Sequence, residues 1–432
     1  MNFYNLKHKE EQLNFKEATI KGQGKDKGLF FPEDISKFSN EFLQNLPNLS
    51  NEEIAFQVMK DFAGDEIPEA ELRKIVAETI AFDIPLKKVT ENISVLELFH
   101  GPTLAFKDVG ARFMSRCLGY FLKNETRKVT VLVATSGDTG GAVANGFYDV
   151  EGIEVVILYP KNRVSPVQEK QLTALGKNIH ALEVNGSFDD CQALVKQAFS
   201  DESLNEKLLL TSANSINVAR WLPQQIYYVL ALKQWLKNNS ENPVICVPSG
   251  NFGNICAGIL AHHRGLPVEH FIAACNVNDV VPEYLRTEIL QPKETVATIS
   301  NAMDVGDPSN FVRILELFDK EFNQVKNKLS GYTIDDGETL KTIERVEKDY
   351  GYVLDPHGAV AFVALEKYLA ENGGKGFFLE TAHPVKFPDS VEKATGKSVE
   401  IPKSLEELMK QEKFTTEINP QYEELKGFLL GK

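Results

Sequence analysis

The residues able to do chemistry in this chain cluster where short apolar runs end. The stretch Leu98 to Met114, LFHGPTLAFKDVGARFM, reads as a strand end, a Gly-Pro turn and the first turns of an amphipathic helix. Lys107 stands at the start of that helix, between Phe106 and Asp108. Among apolar neighbours an amine is disfavoured as an ammonium and becomes available as a nucleophile; on a solvated helix it is an ordinary surface lysine. Downstream, VTVLVATSGDTGGAVANGF reads as strand, polar glycine turn and helix. Ser136, Gly137, Asp138, Thr139 and Gly140 there offer backbone N–H groups and hydroxyls at a helix N-terminus, a place that binds anions. A plain βα turn capped by Asp138 or Thr139 accounts for the same residues. PVICVPSGNFGNICAGIL repeats the pattern with Ser249, Gly250, Asn251, Phe252, Gly253 and Asn254. Its two glycines let backbone amides approach a phosphate closely, although a tight turn without a ligand is the bland alternative. An amine accompanied by two anion-cradling turns suggests pyridoxal phosphate chemistry, with one phosphate on a cofactor and the other on a substrate.

Other groups fall in with this set. In TSANSINVARW, Ser215 and Arg220 offer a hydroxyl and a planar charged fork to a phosphate; Arg220 on a solvated helix start is equally natural. GFFLETAHPVKF exits a strand into Thr381 and His383, the latter most simply a buried structural histidine. LDPHGAVAF puts Asp355 and His357 at a helix start, where a cap with a charge explains them. Competing chemistries find no support. The GKS at Gly396 to Ser398 lacks the glycine and strand of a nucleotide-binding P-loop, no GxSxG elbow is present, and the eight histidines show no metal-ligand spacing.

Elements that would position these groups follow from pattern. The runs ISVLELF, VTVLVAT, IEVVILYP, IHALEVNG, PVICVPS, HFIAACN and GFFLETA alternate with helix-period segments such as FDDCQALVKQAF, from about Ile93 onward. Such alternation argues for parallel sheets covered by helices, which bind ligands beyond the carboxyl ends of their strands. Before that, Ile54, Val58 and Phe62, then Leu72, Ile75, Val76 and Ile80 after Pro68, predict a mostly helical unit to about residue 85. GQGKDKG at Gly22 to Gly28 reads as a turn, and the tail from Ile401 as a peripheral helix with an irregular end.

Bulk properties narrow the class. The 432 residues allow about two to three domains. With 61 acidic against 47 basic residues the net charge is −14, which argues against non-specific nucleic-acid binding. The five cysteines, Cys117, Cys191, Cys246, Cys256 and Cys275, form no CxxC pair, read as reduced thiols and point to the cytoplasm. The acidic, apolar-poor opening disfavours a targeting peptide, and no run approaches the roughly eighteen apolar residues of a membrane span.

HGPTLAFKD around Lys107, SGDTG at Ser136, NSINVAR at Asn214, SGNFGN at Ser249, MDVGDPSN at Met303 and TAHPVKF at Thr381 together, and in this order, resemble the signatures of the threonine synthase family. That family belongs to the tryptophan-synthase-β-like group of pyridoxal-phosphate enzymes. The opening YNLKHKEEQLNFKEATIKGQGKDKGLFFPED is similar to the family's N-terminal domain, so the likeness spans nearly the whole chain and is strongest for the longer bacterial and fungal branch. The resemblance implies an α/β fold: an N-terminal domain over 1–85, a catalytic region over 86–400 made of two parallel-sheet αβα subdomains with the cofactor between them, and a tail over 401–432 packed on that region. It implies that Lys107 holds pyridoxal 5′-phosphate as a Schiff base, that Gly250, Asn251, Phe252, Gly253 and Asn254 cradle its phosphate, and that Thr381 faces the pyridine nitrogen. Asp138 stands where related enzymes place an Asn near the ring hydroxyl; a carboxylate there repels a phenolate unless one is protonated. Ser215, Arg220 and Thr139 fall where the family grips the substrate's phosphate, with Ser136 and Asn214 completing the substrate-binding set and Asn217 behind them.

The implied reaction takes O-phospho-L-homoserine and water to L-threonine and phosphate by γ-elimination and β-addition, the last step of threonine biosynthesis. The enzyme would be a carbon–oxygen lyase working on a small molecule, as a monomer or small homo-oligomer, without nucleic-acid, membrane or metal partners. A threonine or serine dehydratase on the same scaffold is the alternative; it needs no substrate-phosphate grip, so Ser215 and Arg220 discriminate. A cofactor-free binding protein is a third reading, against which the Lys107 motif weighs.

Overall fold

A parallel strand cannot return through a tight hairpin, so its chain must cross over through a helix before pairing again. The computed structural model, which describes residues 1–123 and 128–431, shows two compact units built on that rule. One unit comprises Phe31–Phe106 and Trp221–Glu400 with Met1; the other comprises Asn2–Phe30, Lys107–Arg220 and the chain from Ile401 onward.

The first unit holds a six-stranded sheet in the order Leu329–Thr333, His270–Cys275, Val244–Pro248, Gly376–Glu380, Ile93–Glu97, Leu86–Lys88. Its pairs are parallel except the last, which is antiparallel. Val244–Pro248 and Gly376–Glu380 are buried along their whole length, which is why they read as unbroken apolar runs. Helix Pro356–Asn372 lays Ala359 to Leu365 on this sheet, where they pack with Val95, Cys246, Ile272 and Phe378. The chain steps outward from Val244–Pro248 through His270–Cys275 to Leu329–Thr333, then returns to the opposite side as Gly376–Glu380. Strand order thus reverses at the Val244–Pro248 and Gly376–Glu380 pair, and a crevice opens beyond the carboxyl ends at such a reversal.

The second unit repeats the arrangement. Its main sheet has five strands, all parallel, in the order Thr416–Ile418, Ile179–Val184, Ile153–Pro160, Val129–Ala134, Leu209–Thr211. Here the order reverses at the Val129–Ala134 and Leu209–Thr211 pair. All the strands expected from apolar runs are present.

Two regions carry more structure than their patterns suggest. The N-terminal stretch has the expected helices Asn51–Ala63 and Glu69–Thr79, but opens on an antiparallel pair, Asn2–Asn5 with Gln12–Asn14. A capping box, Asn14 with Glu17, turns that pair directly into helix Phe15–Lys21. Phe15 then anchors the segment by packing on Phe3, Phe113 and Phe121 at ring separations of 6.0, 6.4 and 6.1 Å. The tail differs from its expected irregular end. After helix Lys403–Lys410 it adds Thr416–Ile418 as an edge strand beside Ile179–Val184, then helix Tyr422–Leu430. Ile418, Leu425 and Leu429 enter the core with Leu158, Leu182 and Leu194, and Asp201 receives Tyr422 Oη and Lys426 Nζ at 2.7 and 2.6 Å. A three-residue strand with one buried side chain leaves no periodicity to read.

Ile418→Ala is expected to lower the free energy of unfolding in urea by about 2–4 kcal/mol, the usual cost of truncating a buried aliphatic; unchanged stability would return the tail to the surface. A pH dependence also follows. Burial pushes the His263 and His270 imidazoles down to about 4, so both stay neutral in the fold while the unfolded chain takes up their protons near 6.5. Their stabilisation is present above about pH 6.5 and lost as pH falls toward 4. Thermal midpoints measured across that window are expected to drop, with a shallower slope in a His263→Asn/His270→Asn double variant.

Candidate active site

In the second unit, Lys107 opens helix Lys107–Phe121 with its side chain 16% exposed, and its Nζ lies 3.7 Å from Oδ2 of the buried Asp138. The other carboxylate oxygen, Asp138 Oδ1, accepts from Gln168 Nε2 at 2.9 Å. Gln168 is held in turn by a capping box in which its Oε1 accepts from Ser165 N at 3.1 Å, leaving Nε2 to face Asp138. Sequence reasoning passed over Gln168; the Ser-Pro-Val-Gln run, a capping-box pattern, was the available signal. The glycine turn is not capped by Asp138 or Thr139. Thr135 Oγ1 accepts the N–H groups of Gly137 and Gly140 at 3.0 and 2.9 Å, while the Asp138 carboxylate meets Gln168 and Lys107. Ser136 and Thr139 are half-buried on this turn.

The neighbouring strand Leu209–Thr211 exits into Ser212–Asn217, so both loops stand at the reversal of strand order. Asn214 and Ser215 are half-buried there. Asn217 is committed to the backbone: its Nδ2 donates to Thr19 O at 2.9 Å and its Oδ1 accepts from Ala219 N at 2.9 Å. Arg220 is 4% exposed, and its Nη1 donates to the Ala213 carbonyl, bracing the loop from beneath. Burial lowers its guanidinium to about 10 against the opposing pull of Asp108, so it remains a cation at neutral pH.

In the first unit, Ser249 to Asn254 join Val244–Pro248 to helix Gly253–His263. A Cβ on Gly250 would stand 2.6 Å from Met303 Cα, so no other residue fits. Asn251 is lashed to the MDVGDPSN segment: its Oδ1 accepts from Ser309 N at 2.7 Å, and its carbonyl accepts from Asn310 Nδ2 at 3.0 Å. Phe252 adopts φ 60° just before the helix, a strained conformation for a non-glycine residue, with its ring 5.6 Å from Phe311. Asn254 Oδ1 accepts from Tyr228 Oη at 2.6 Å, while its Nδ2 is buried with no partner among the described residues.

Thr381 follows Gly376–Glu380, the strand beside Val244–Pro248. Its carbonyl accepts from Phe106 N at 2.9 Å, and Ala105 bridges Ala382, so the residues just before Lys107 are clamped to the Thr381 segment. Behind Thr381, Glu380 is fully buried; its Oε1 accepts from Asp355 N at 2.7 Å, and burial pushes its carboxyl well up. Asp355 caps its helix through Gly358 N at 2.7 Å, as expected, and also takes His357 Nδ1 at 2.6 Å. His357 Nε2 accepts from Ala302 N at 3.2 Å, which puts the ring proton on Nδ1 and ties the helix start to the residue before Met303. His383 is structural: it packs edge-on to Phe99 at 5.2 Å, and burial lowers it to about 4.

Pyridoxal phosphate requires an amine and an anion cradle, and both are present. The helix start at Gly253 supplies N–H groups without intrahelical acceptors, Gly250 keeps the loop free of a side chain, and the orphaned Asn254 Nδ2 lacks an acceptor that a phosphate oxygen would provide.

Residues 83–377 match the family model described as pyridoxal-phosphate dependent enzyme, residues 2–80 that of threonine synthase N terminus, and residues 358–429 that of threonine synthase, C-terminal. Threonine synthase of Haemophilus influenzae is 45% identical over 430 residues, covering 100% of both chains; that of Escherichia coli is 47% identical over 407 residues, 94% of each. The crystal structure of threonine synthase from Escherichia coli superposes over 100% of both chains with a TM-score of 0.93 at 44% identity. The PLP-bound threonine synthase from Brucella melitensis superposes over 99% of this chain and 98% of its own, with a TM-score of 0.93 at 35% identity. Maize serine racemase, at 15% identity and a TM-score of 0.54, shares the fold alone. The chain therefore belongs to the threonine synthase family of pyridoxal-phosphate dependent enzymes.

Proposed function

We propose that this protein converts O-phospho-L-homoserine and water to L-threonine and phosphate, with pyridoxal 5′-phosphate carried on Lys107. One observation carries the choice of substrate. The Gly250–Asn254 loop accounts for a cofactor's phosphate, yet the unit holding Lys107 has a second set of anion-seeking groups: Ser136, Thr139, Asn214 and Ser215, with the buried cation of Arg220 behind them. A dehydratase would have no use for that set.

The residues divide the work as follows. Gly250, Asn251, Phe252, Gly253 and Asn254 would hold the cofactor's phosphate, and the Thr381 hydroxyl would serve its pyridine nitrogen. Asp138 would serve the ring hydroxyl; the amide of Gln168, donating to Asp138 Oδ1, offsets part of the charge with which a carboxylate would repel a phenolate. When bound, the cofactor draws electron density from the substrate's Cα and makes protons at Cα and Cβ removable. Lys107 Nζ, as a free neutral amine, would be the base that takes the substrate's Cα proton. As phosphate leaves Cγ with its bonding pair, hydroxyls of Ser136, Thr139 and Ser215 and the amide of Asn214 hold its oxygens. Arg220 adds charge from a water-excluded position, where such charge is worth most. With a proton also gone from Cβ, Cγ takes up a proton, the hydroxyl of water adds at Cβ, and a proton returns to Cα to complete L-threonine.

The N-terminal domain over 1–85 and the tail over 401–432 brace the catalytic region over 86–400. Packing of Phe15 on Phe113 and of Ile418 in the core supports this bracing role. Cysteines that are all buried and unpaired suit the reducing cytoplasm.

Lys107→Ala is expected to stay folded and to lose turnover entirely, and borohydride reduction of the wild-type enzyme is expected to mark the peptide containing AFKD; an adduct elsewhere would remove Lys107 from the mechanism. Arg220→Ala is expected to weaken phosphohomoserine by about 1.5–3 kcal/mol, the cost of a lost contact to a charged group, while a phosphate-free amino acid loses far less. Ser215→Ala, which keeps the buried guanidinium in place, shows the same preference at smaller amplitude. Phosphate release from phosphohomoserine measured against ammonia release from threonine separates this activity from the dehydratase.

A further inference from the structure

The cradle for the cofactor's phosphate includes one side chain whose orientation is decided from outside the loop. Tyr228, on helix Gln225–Trp235, is fully buried and belongs to none of the motifs above. Its hydroxyl lies 2.6 Å from Asn254 Oδ1 and 3.1 Å from the Asn254 carbonyl. A phenol has a single proton to give, and the shorter contact takes it. Burial raises this phenol well above its ordinary value, so it is a neutral donor at every working pH. Room for the ring comes from Gly258, one turn beyond Asn254: a Cβ there would stand 2.6 Å from Tyr228 Cε1.

The consequence falls on Asn254. With Oδ1 held by Tyr228, the amide must present its NH₂ on the other side, and there Nδ2 is buried without a partner among the described residues. A buried donor left unmade costs free energy that a ligand acceptor would recover. The flipped amide would instead aim its oxygen at a phosphate oxygen, setting acceptor against acceptor.

We propose that Tyr228 is a positioning residue for cofactor binding: by donating to Asn254 Oδ1 it fixes the Asn254 NH₂ toward the cofactor's phosphate. This rests on the reading of Gly250–Asn254 as the phosphate cradle. Tyr228→Phe keeps the ring and its seat on Gly258 and removes only the donor.

The test compares pyridoxal phosphate with pyridoxal, which has the same ring and aldehyde and no phosphate. Each is titrated into full-length protein stripped of cofactor, and binding is followed by the visible absorption band. Tyr228→Phe is expected to weaken pyridoxal phosphate about tenfold, the scale of one hydrogen bond, and to leave pyridoxal unchanged. Asn254→Ala is expected to show the same selectivity, with at least as large a loss. Equal losses for both ligands in Tyr228→Phe, as a general loosening of the fold would give, overturn the proposal; so does an unchanged affinity for pyridoxal phosphate alongside a loss in Asn254→Ala. If Asn254→Ala leaves pyridoxal phosphate unaffected, the cradle reading itself fails, and the role of Tyr228 with it.

Discussion

In each unit the capacity to bind an anion depends on the obligation of parallel strands to end at one edge. In each unit the carboxyl ends of all parallel strands release the chain on the same side, and the reversal of strand order keeps two neighbouring exits from being closed by the same crossover. In one unit those exits are the Ser136–Thr139 turn and the Ser212–Asn217 loop; in the other they are the Gly250–Asn254 loop and Thr381. Backbone amides at such exits have no strand partner and, at a helix start, no intrahelical partner either. The capacity to hold anions is therefore a by-product of topology, and the side chains refine it.

Buried charge is the second constraint. Taking a guanidinium or ammonium out of water is costly unless hydrogen bonds and counter-charge offset it. Lys107 meets Asp138, and Arg220 has the Ala213 carbonyl and the field of Asp108. Arg264, at the far end of the helix that begins at Gly253, donates to Asp61 Oδ2 at 2.6 Å and Val58 O at 2.7 Å, with its guanidinium 4.1 and 4.8 Å from the Phe38 and Phe62 rings. A cation at that terminus also suits the helix dipole. The cradle helix is thus held at its carboxyl end to helix Asn51–Ala63, which explains how a segment without chemistry of its own supports a site elsewhere in its unit.

Much of this was legible beforehand, for physical reasons that vary by residue. Unbroken apolar runs such as VICVP and GFFLE mark strands buried on both faces, and glycine turns after them mark exits, so both sheets and both loops could be read from pattern. Lys107, Asp138 and Asn254 stood in those exits by sequence position alone. Short elements such as Leu209–Thr211 and Thr416–Ile418 escaped because three residues show no period; pairing, which is not local, creates them. The MDVGDPSN segment showed a family resemblance and no chemistry. Its work is to press Met303 against Gly250 and to hold Asn251, and contacts between residues some fifty positions apart have no local signature.

The residues that escaped share a single device. A side-chain amide has an acceptor end and a donor end of nearly equal size, so its direction is ambiguous until a neighbour that can only donate takes the oxygen. Ser165 N does this to Gln168, whose Nε2 then faces Asp138. Arg313, which has no acceptor, takes Asn310 Oδ1 at 2.7 Å, so Asn310 Nδ2 must serve the Asn251 carbonyl. Tyr228 does the same to Asn254. In each case the donor end is turned toward the loop or carboxylate that the site uses, and the pinning group lies one residue further out. Removing such a group leaves every first contact nominally present while freeing an amide to rotate. The layer behind the loops therefore determines which hydrogen bonds the loops can offer, although it contributes no atom to the reaction.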